Sequence, residues 1–177
     1  MPLHLELYVR GAAAGVKQPV EVEDLGGGKY EILFTPGLVE EVAAGDLIEL
    51  LDSASGAFRV IARWGNLAVK WGAPGGHISD EAMEEAIKLL APFEARLDGR
   101  IATAAVWTIP PPFVLSNVAQ AMNKVVELVR GSGWWYGNVY DEKGEPWGWW
   151  VEPAEGKGYS ADTALSAAPP IDYGAFG

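Results

Sequence analysis

The chain has no cysteine, so disulfide scaffolds, thiol nucleophiles and cysteine-held metals are excluded. Histidine is almost as scarce. His4 and His77 are the full complement, too far apart in sequence for the i, i+4 pair that grips zinc on one helix face. His4 falls among the polar positions of an alternating strand and His77 in a glycine loop, so no metal and no cofactor are expected. No apolar run approaches the roughly 20 residues that span a bilayer. The start, MPLHLELYVRG, lacks the basic and apolar regions of a signal peptide. The expectation is a cytoplasmic protein without membrane association.

Basic residues are also few: 13 Lys and Arg against 24 Asp and Glu give a net charge of −11. Nucleic acids and anionic membranes need a basic face, so neither is expected as a direct partner. No phosphate cradle is present. Gly26-Gly27-Gly28 lies between two strands, and Gly72-Ala73-Pro74-Gly75-Gly76 lacks both the spacing and the lysine of a P-loop. Nor is there a nucleophile elbow, because Gly131-Ser132-Gly133 follows a helical pattern instead of preceding one.

What the chain does have is tryptophan, and five of its eight fall between Gly133 and Glu152. Aromatic residues favour paired strands, and Asp141-Glu142-Lys143-Gly144-Glu145 is a polar turn run with a glycine. The segment therefore reads as a β-hairpin with aromatics on both faces. One face suits a core, while the other calls for a cover.

From Leu3 onward, short alternating stretches recur about every ten residues: Leu3 to Val9, Val20 to Glu23, Lys29 to Thr35, Leu47 to Leu51, Ala57 to Trp64 and Leu67 to Trp71. One helical turn is read over Leu38 to Ala44. The pattern is that of a small β-barrel or β-sandwich. The period then changes. Ser79 caps a helix whose stripe is Met83, Ala86, Ile87, Leu90 and Phe93. Arg100 to Ile109 reads as one strand. Pro112 opens a second helix with Val114, Val118, Ala121, Met122, Val125 and Val129 on one side. The expected fold class is α+β: a β-rich half over residues 1–72, then an α+β half over 73–152 that, with Leu67 to Trp71 as first strand, makes a two-layer β-α-β-α-β-β sandwich with both helices on one face. An extended tail, 153–177, packs on the body through Tyr159, Ile171, Tyr173 and Phe176. Trp64, Trp107 and Trp135 are expected beneath the helices.

Candidate partner-binding residues follow from these elements. Trp147, Trp149 and Trp150 crowd one hairpin arm, with Tyr140, Asp141, Glu142 and Glu145 at its tip. A second acidic patch comprises Glu40, Glu41 and Asp46 with Asp80, Glu81, Glu84 and Glu85 at the head of the first helix. No catalytic residue is assigned. Carboxylates among aromatics could serve a hydrolase, but a hairpin tip leaves them in solvent with ordinary acidity.

The segments PVEVEDL, GGGKYEI and FTPGLVEEVAAGDLIEL, with a proline-ended strand and an aromatic strand, Gly133 to Tyr136 (GWWY), after the second helix, carry a resemblance. Over about residues 3–140 the chain resembles an uncharacterised bacterial family, domain of unknown function 4265. That family implies no catalytic residues. Its type is similar to small acidic immunity and antitoxin proteins.

The expectation is thus a non-catalytic acidic interaction protein. Most concretely, it is an immunity- or antitoxin-type inhibitor that blocks a basic toxin or another nucleic-acid-directed enzyme. The alternatives are a small-molecule-binding or regulatory module with an aromatic pocket between its halves, and a hydrolase using Asp141, Glu142 and Glu145. No sequence signal fixes an oligomeric state.

Overall fold

The computed structural model describes residues 2–149. The expected tail, and Trp150 with it, lies outside them. The described chain forms two antiparallel sheets and two helices. No helix among these residues is long and apolar enough to cross a membrane.

The first sheet is a meander of five strands in sequence order: β1 (Leu3–Tyr8), β2 (Lys17–Gly26), β3 (Lys29–Ile32), β4 (Leu47–Asp52) and β5 (Ala57–Ala62). Strict alternation decides its faces. The ladder sets Leu5 opposite Val20, Val22 opposite Ile32 and Ile48 opposite Val60, so one face gathers an apolar core with Leu7 and Val9. The sheet curls but stays open, which corrects the barrel-like expectation. Its edges meet at Gly56, whose carbonyl accepts a hydrogen bond from the Tyr8 N–H at 3.0 Å.

The expected helical turn over Leu38 to Ala44 is instead an irregular crossing loop. Its Val39 and Val42 cap the core of the first sheet, and burying them there outweighs one turn of local helix, which is costly to nucleate alone.

The second sheet runs β7-β8-β6-β9, with β6 (Leu67–Gly72), β7 (Arg96–Ile101), β8 (Ala104–Ile109) and β9 (Gly133–Tyr136). Here the order β-α-β-α-β-β is corrected to β-α-β-β-α-β. The chain turns at Ala102-Thr103 to make a β7–β8 hairpin where one strand was expected. Asp98-Gly99 lies inside β7 at a register shift, with Gly99 placed so that a Cβ would sit 3.3 Å from Val106. Gly99 therefore sits at a bulge that packs on the neighbouring strand.

Helices α1 (Asp80–Leu90) and α2 (Leu115–Glu127) lie on one face of this sheet. Ser79 caps α1 through the Ala82 N–H, as expected. Met83, Ala86 and Leu90 of α1 and Val118, Met122 and Val125 of α2 are buried, along with Trp71, Trp107 and Trp134. The expected register of α1 needs one correction: Ile87 is 43% exposed. The buried stripe advances from Met83 to Ala86 and Leu90, so Ile87 falls on its outer margin. Among the tryptophans expected beneath the helices, only Trp107 is there. Trp64 is 68% exposed, and Trp135 points to the opposite face.

The return arm of the aromatic hairpin does not add a strand to the sheet within the described residues. After Tyr136 the Gly137 N–H donates to the Ala68 carbonyl at 2.9 Å, and the Asn138 side chain takes over. Its Oδ1 accepts from the Ala68 N–H and its Nδ2 donates to the Asn66 carbonyl, each at 2.9 Å. A side chain thus satisfies the edge of β6 where a further strand would have paired. Only the tip closes as a hairpin, through a single Tyr140–Pro146 bridge.

Candidate functional site: a cleft between the two sheets

Residues at even positions of β6 and β8 face away from the helices. Ala68 pairs with Thr108, Lys70 with Val106 and Gly72 with Ala104, while Trp135 of β9 lies beside Lys70. The loop of residues 33–46 is fastened over part of this face by polar groups. Thr35 donates its N–H to Asp98 Oδ2 at 2.7 Å, and the hydroxyls of Thr35 and Thr108 lie 2.5 Å apart. Thr108 donates to Asp98 Oδ2, also at 2.5 Å. The Thr108 proton is committed to the carboxylate, so the Thr35 hydroxyl donates to Thr108 and accepts from the Ala44 N–H at 3.0 Å. Arg96 Nε completes the shell of Asp98 at 2.5 Å, and this pairing raises the guanidinium's proton affinity.

Further along the same face, Lys70 is wholly buried. Its Nζ donates to the Val39 carbonyl at 2.9 Å and to Glu40 Oε1 at 3.1 Å. Burial lowers its pKa, with Glu40 opposing the shift. The Trp135 indole N–H donates to the same Glu40 oxygen at 3.2 Å. Beside this pair, between the sheets, a cleft of about 450 Å³ opens. Its wall includes Trp135, Val106 and Lys70, with His4, Gln18 and Glu21 from the first sheet and Arg100 from β7. Phe34, Leu38 and Ile101 also line it, although they are 42%, 56% and 64% exposed.

The residues singled out from sequence are distributed over several places. Asp141 organises the tip, accepting from the Lys143 and Glu145 N–H groups at 2.8 and 2.9 Å. These backbone bonds, that from Glu145 first, lower its pKa. Trp149 is wedged edge-on against Phe113 and donates to the Asn138 carbonyl at 2.6 Å. Tyr140 packs on the helix-side core. Trp147 is half exposed, and Glu142 and Glu145 are exposed. The Arg63 guanidinium lies 5.9 Å from the Trp147 ring and 5.7 Å from that of Trp149. Glu142 shares a shallow pocket with Glu40 and Glu41, and Glu41 is ion-paired with Arg10.

Asp80, Glu81, Glu84 and Glu85 remain exposed on α1, with Asp80 held by Arg100 and Glu85 by Lys88. Glu40 and Asp46 are interior. Sequence reasoning carried a pocket between the halves as an alternative but missed its residues, because they come from seven separate stretches. Only Lys70, a lone cation in an otherwise apolar strand, signalled that something polar must meet β6.

Asp46 is another interior carboxylate. Its Oδ2 accepts from the Ala43 N–H and from Arg63 Nη1, both at 2.9 Å, while Oδ1 lacks a well-formed hydrogen bond. Burial pushes its pKa from 3.8 up to about 6, and the Ala43 bond and Arg63 only partly offset this. The folded state holds this proton more tightly than the unfolded chain, so the contribution is greatest at low pH. It is lost as pH rises from about 4 to about 6, by about 3 kcal/mol. Urea titrations across that window should show the wild type losing stability relative to Asp46→Asn. Parallel pH profiles would show that Asp46 titrates normally.

No family model matches the chain, and no curated protein matches it. Among solved structures, the chain is similar to a hypothetical protein from Neisseria gonorrhoeae, described as a novel crystal structure. The match is at 13% identity, covers 77% of this chain and 92% of that one, and has a TM-score of 0.55. The two chains share a fold. At that identity the likeness extends to the mixed α+β arrangement and no further.

Proposed function

We propose that this chain is a non-catalytic binding module whose ligand enters the cleft between the sheets. One observation carries the reading: Phe34, Leu38 and Ile101 stay exposed while lining a cleft of ligand size. Clefts of a few hundred Å³ with apolar walls and a few fixed polar groups are the usual form of small-molecule sites. An apolar lip around such a cleft is surface that a ligand would cover. Ala104→Trp tests the proposal, because Ala104 lines the cleft and is only half buried. Mass spectrometry of organic extracts from natively purified protein should show a small molecule that Ala104→Trp lacks, with melting temperature nearly unchanged. Identical extracts from both proteins would reject the cleft as the site.

A second reading keeps the acidic interaction protein of immunity or antitoxin type. It is supported by the exposed Glu81 and Glu84 on α1 and by half-exposed Trp147 near Glu142 and Glu145. In that case a basic protein co-purifies in equal amount, is released by salt and is lost on Glu81→Gln with Glu84→Gln, while Ala104→Trp retains it. A cytoplasmic setting belongs to both readings and is supported by the lack of cysteine. Kinship with domain of unknown function 4265 likewise stays a proposal, resting on the PVEVEDL and GDLIEL segments.

A further inference from the structure

We infer that the cleft takes an organic monocation, with its ammonium head on Glu21 and an apolar body behind it; this rests on the cleft being the ligand site. Lys70, Arg96 and Arg100, the cations in or beside the cleft wall, are each matched by an anion of the chain itself. Lys70 is buried against the Val39 carbonyl and Glu40, at 2.9 and 3.1 Å. Arg96 is held by Asp98 and the Leu33 carbonyl, at 2.5 and 3.1 Å. Arg100 stands in register with Ala105, which belongs to the helix-side core, and it reaches Asp80 at 2.7 Å. These three pairs cancel, and none of their cations is turned to an incoming anion. Asp98 is saturated as well, since Thr35 and Thr108 also donate to it.

Glu21 is the charge left over. It lines the cleft, is partly buried, and its side chain makes no hydrogen bond or ion pair among the described residues. His4 lies opposite it in the β1–β2 ladder but is exposed and forms no bond with it. A ligand that covers the apolar lip of Phe34, Leu38 and Ile101 also takes water away from this carboxylate. An alcohol replaces that water with one weak donor, and an acid adds a second negative charge. An ammonium head supplies three donors and the opposite charge, so it alone offsets the lost hydration in full. The net charge of −11 favours the approach of cations in the same sense. The apolar body would lie along Phe34, Leu38, Ile101 and Val106.

Octylamine, octanol and octanoate share one body and differ at the head, so they separate the head's role from that of the tail. Calorimetry on the full chain gives the affinities. The Trp135 indole N–H resonance reports binding in the cleft, as distinct from loose attachment of an amine to the acidic surface. Octylamine should bind about fivefold more tightly than octanol, the upper end for a partly exposed ion pair, and octanoate should bind most weakly. Glu21→Gln should bring octylamine to within about twofold of octanol. His4→Lys, which sets a cation opposite Glu21 from within the chain, should do the same. Equal or tighter binding of octanol or octanoate that shifts Trp135 overturns the cation class. An amine preference that survives Glu21→Gln overturns the assignment of the head to Glu21. Both of these outcomes leave the cleft reading intact. No Trp135 response to any of the three, in protein that melts normally, removes the cleft reading as well.

Discussion

Replacing Lys70 by methionine is expected to cost about 3–5 kcal/mol of stability, because it strands a charged Glu40 in the interior. The pair is buried on both sides, with side-chain exposures of 2% and 8%. Attraction between the two offsets a desolvation cost that neither could bear alone. Glu40→Gln in the Lys70→Met background should restore most of the loss, since glutamine still accepts from the Trp135 indole and carries no charge. Chemical denaturation of the four proteins in this cycle gives the coupling directly. If Lys70→Met proves as stable as the wild type, the ion pair does not hold the loop of residues 33–46 to β6.

Gly56→Ala is expected to destabilise by about 2–4 kcal/mol, from a left-handed backbone penalty together with overpacking. Gly56 has φ +75°, and an added Cβ would lie 2.4 Å from the Glu6 carbonyl oxygen and 2.8 Å from the Tyr8 nitrogen. Both are backbone atoms of β1, so no rotamer change relieves the clash. Gly27→Ala is the matched control. It has φ +64° but nothing within 4 Å, and its cost should stay near the backbone penalty of about 1 kcal/mol. Thermal melts of the two variants separate the clash from the conformational cost. Equal losses would mean that the edges of the first sheet do not press together at Gly56.

The period-two and period-3.6 signals were legible because each records a burial direction that local chain geometry enforces. Leu7, Val20, Val22 and Ile32 alternate into a core just as written, and Met83, Leu90, Val118, Met122 and Val125 mark the helix faces that pack. Less legible was anything that depended on which strand meets which. The run Arg100 to Ile109 contains a two-residue turn without glycine or proline, so it reads as continuous. Asn138 ends the pairing of β9 by imitating a strand with its side chain, and no composition rule announces that. The residues of the cleft were hidden for the same reason: Phe34, Leu38, Lys70, Arg100 and Trp135 have no common spacing. Glu40 and Asp46 looked like surface acids because their partners, Lys70 and Arg63, lie well down the chain.

The placement of β6 has a consequence for the order of events during synthesis. Every strand of the first sheet pairs with its immediate successor, so those ladders can close within tens of residues of emerging chain. β6 sits inside the second sheet, bordered by β8 and β9, and all six of its residues are buried. It leaves the ribosome well before either neighbour exists, and its outer edge is covered only once Gly133–Tyr136 arrives. Until then a nascent apolar strand stands beside a finished meander, the stage at which aggregation is the main hazard. Slowing elongation after β6 would prolong that exposure, whereas slowing it within the meander would not.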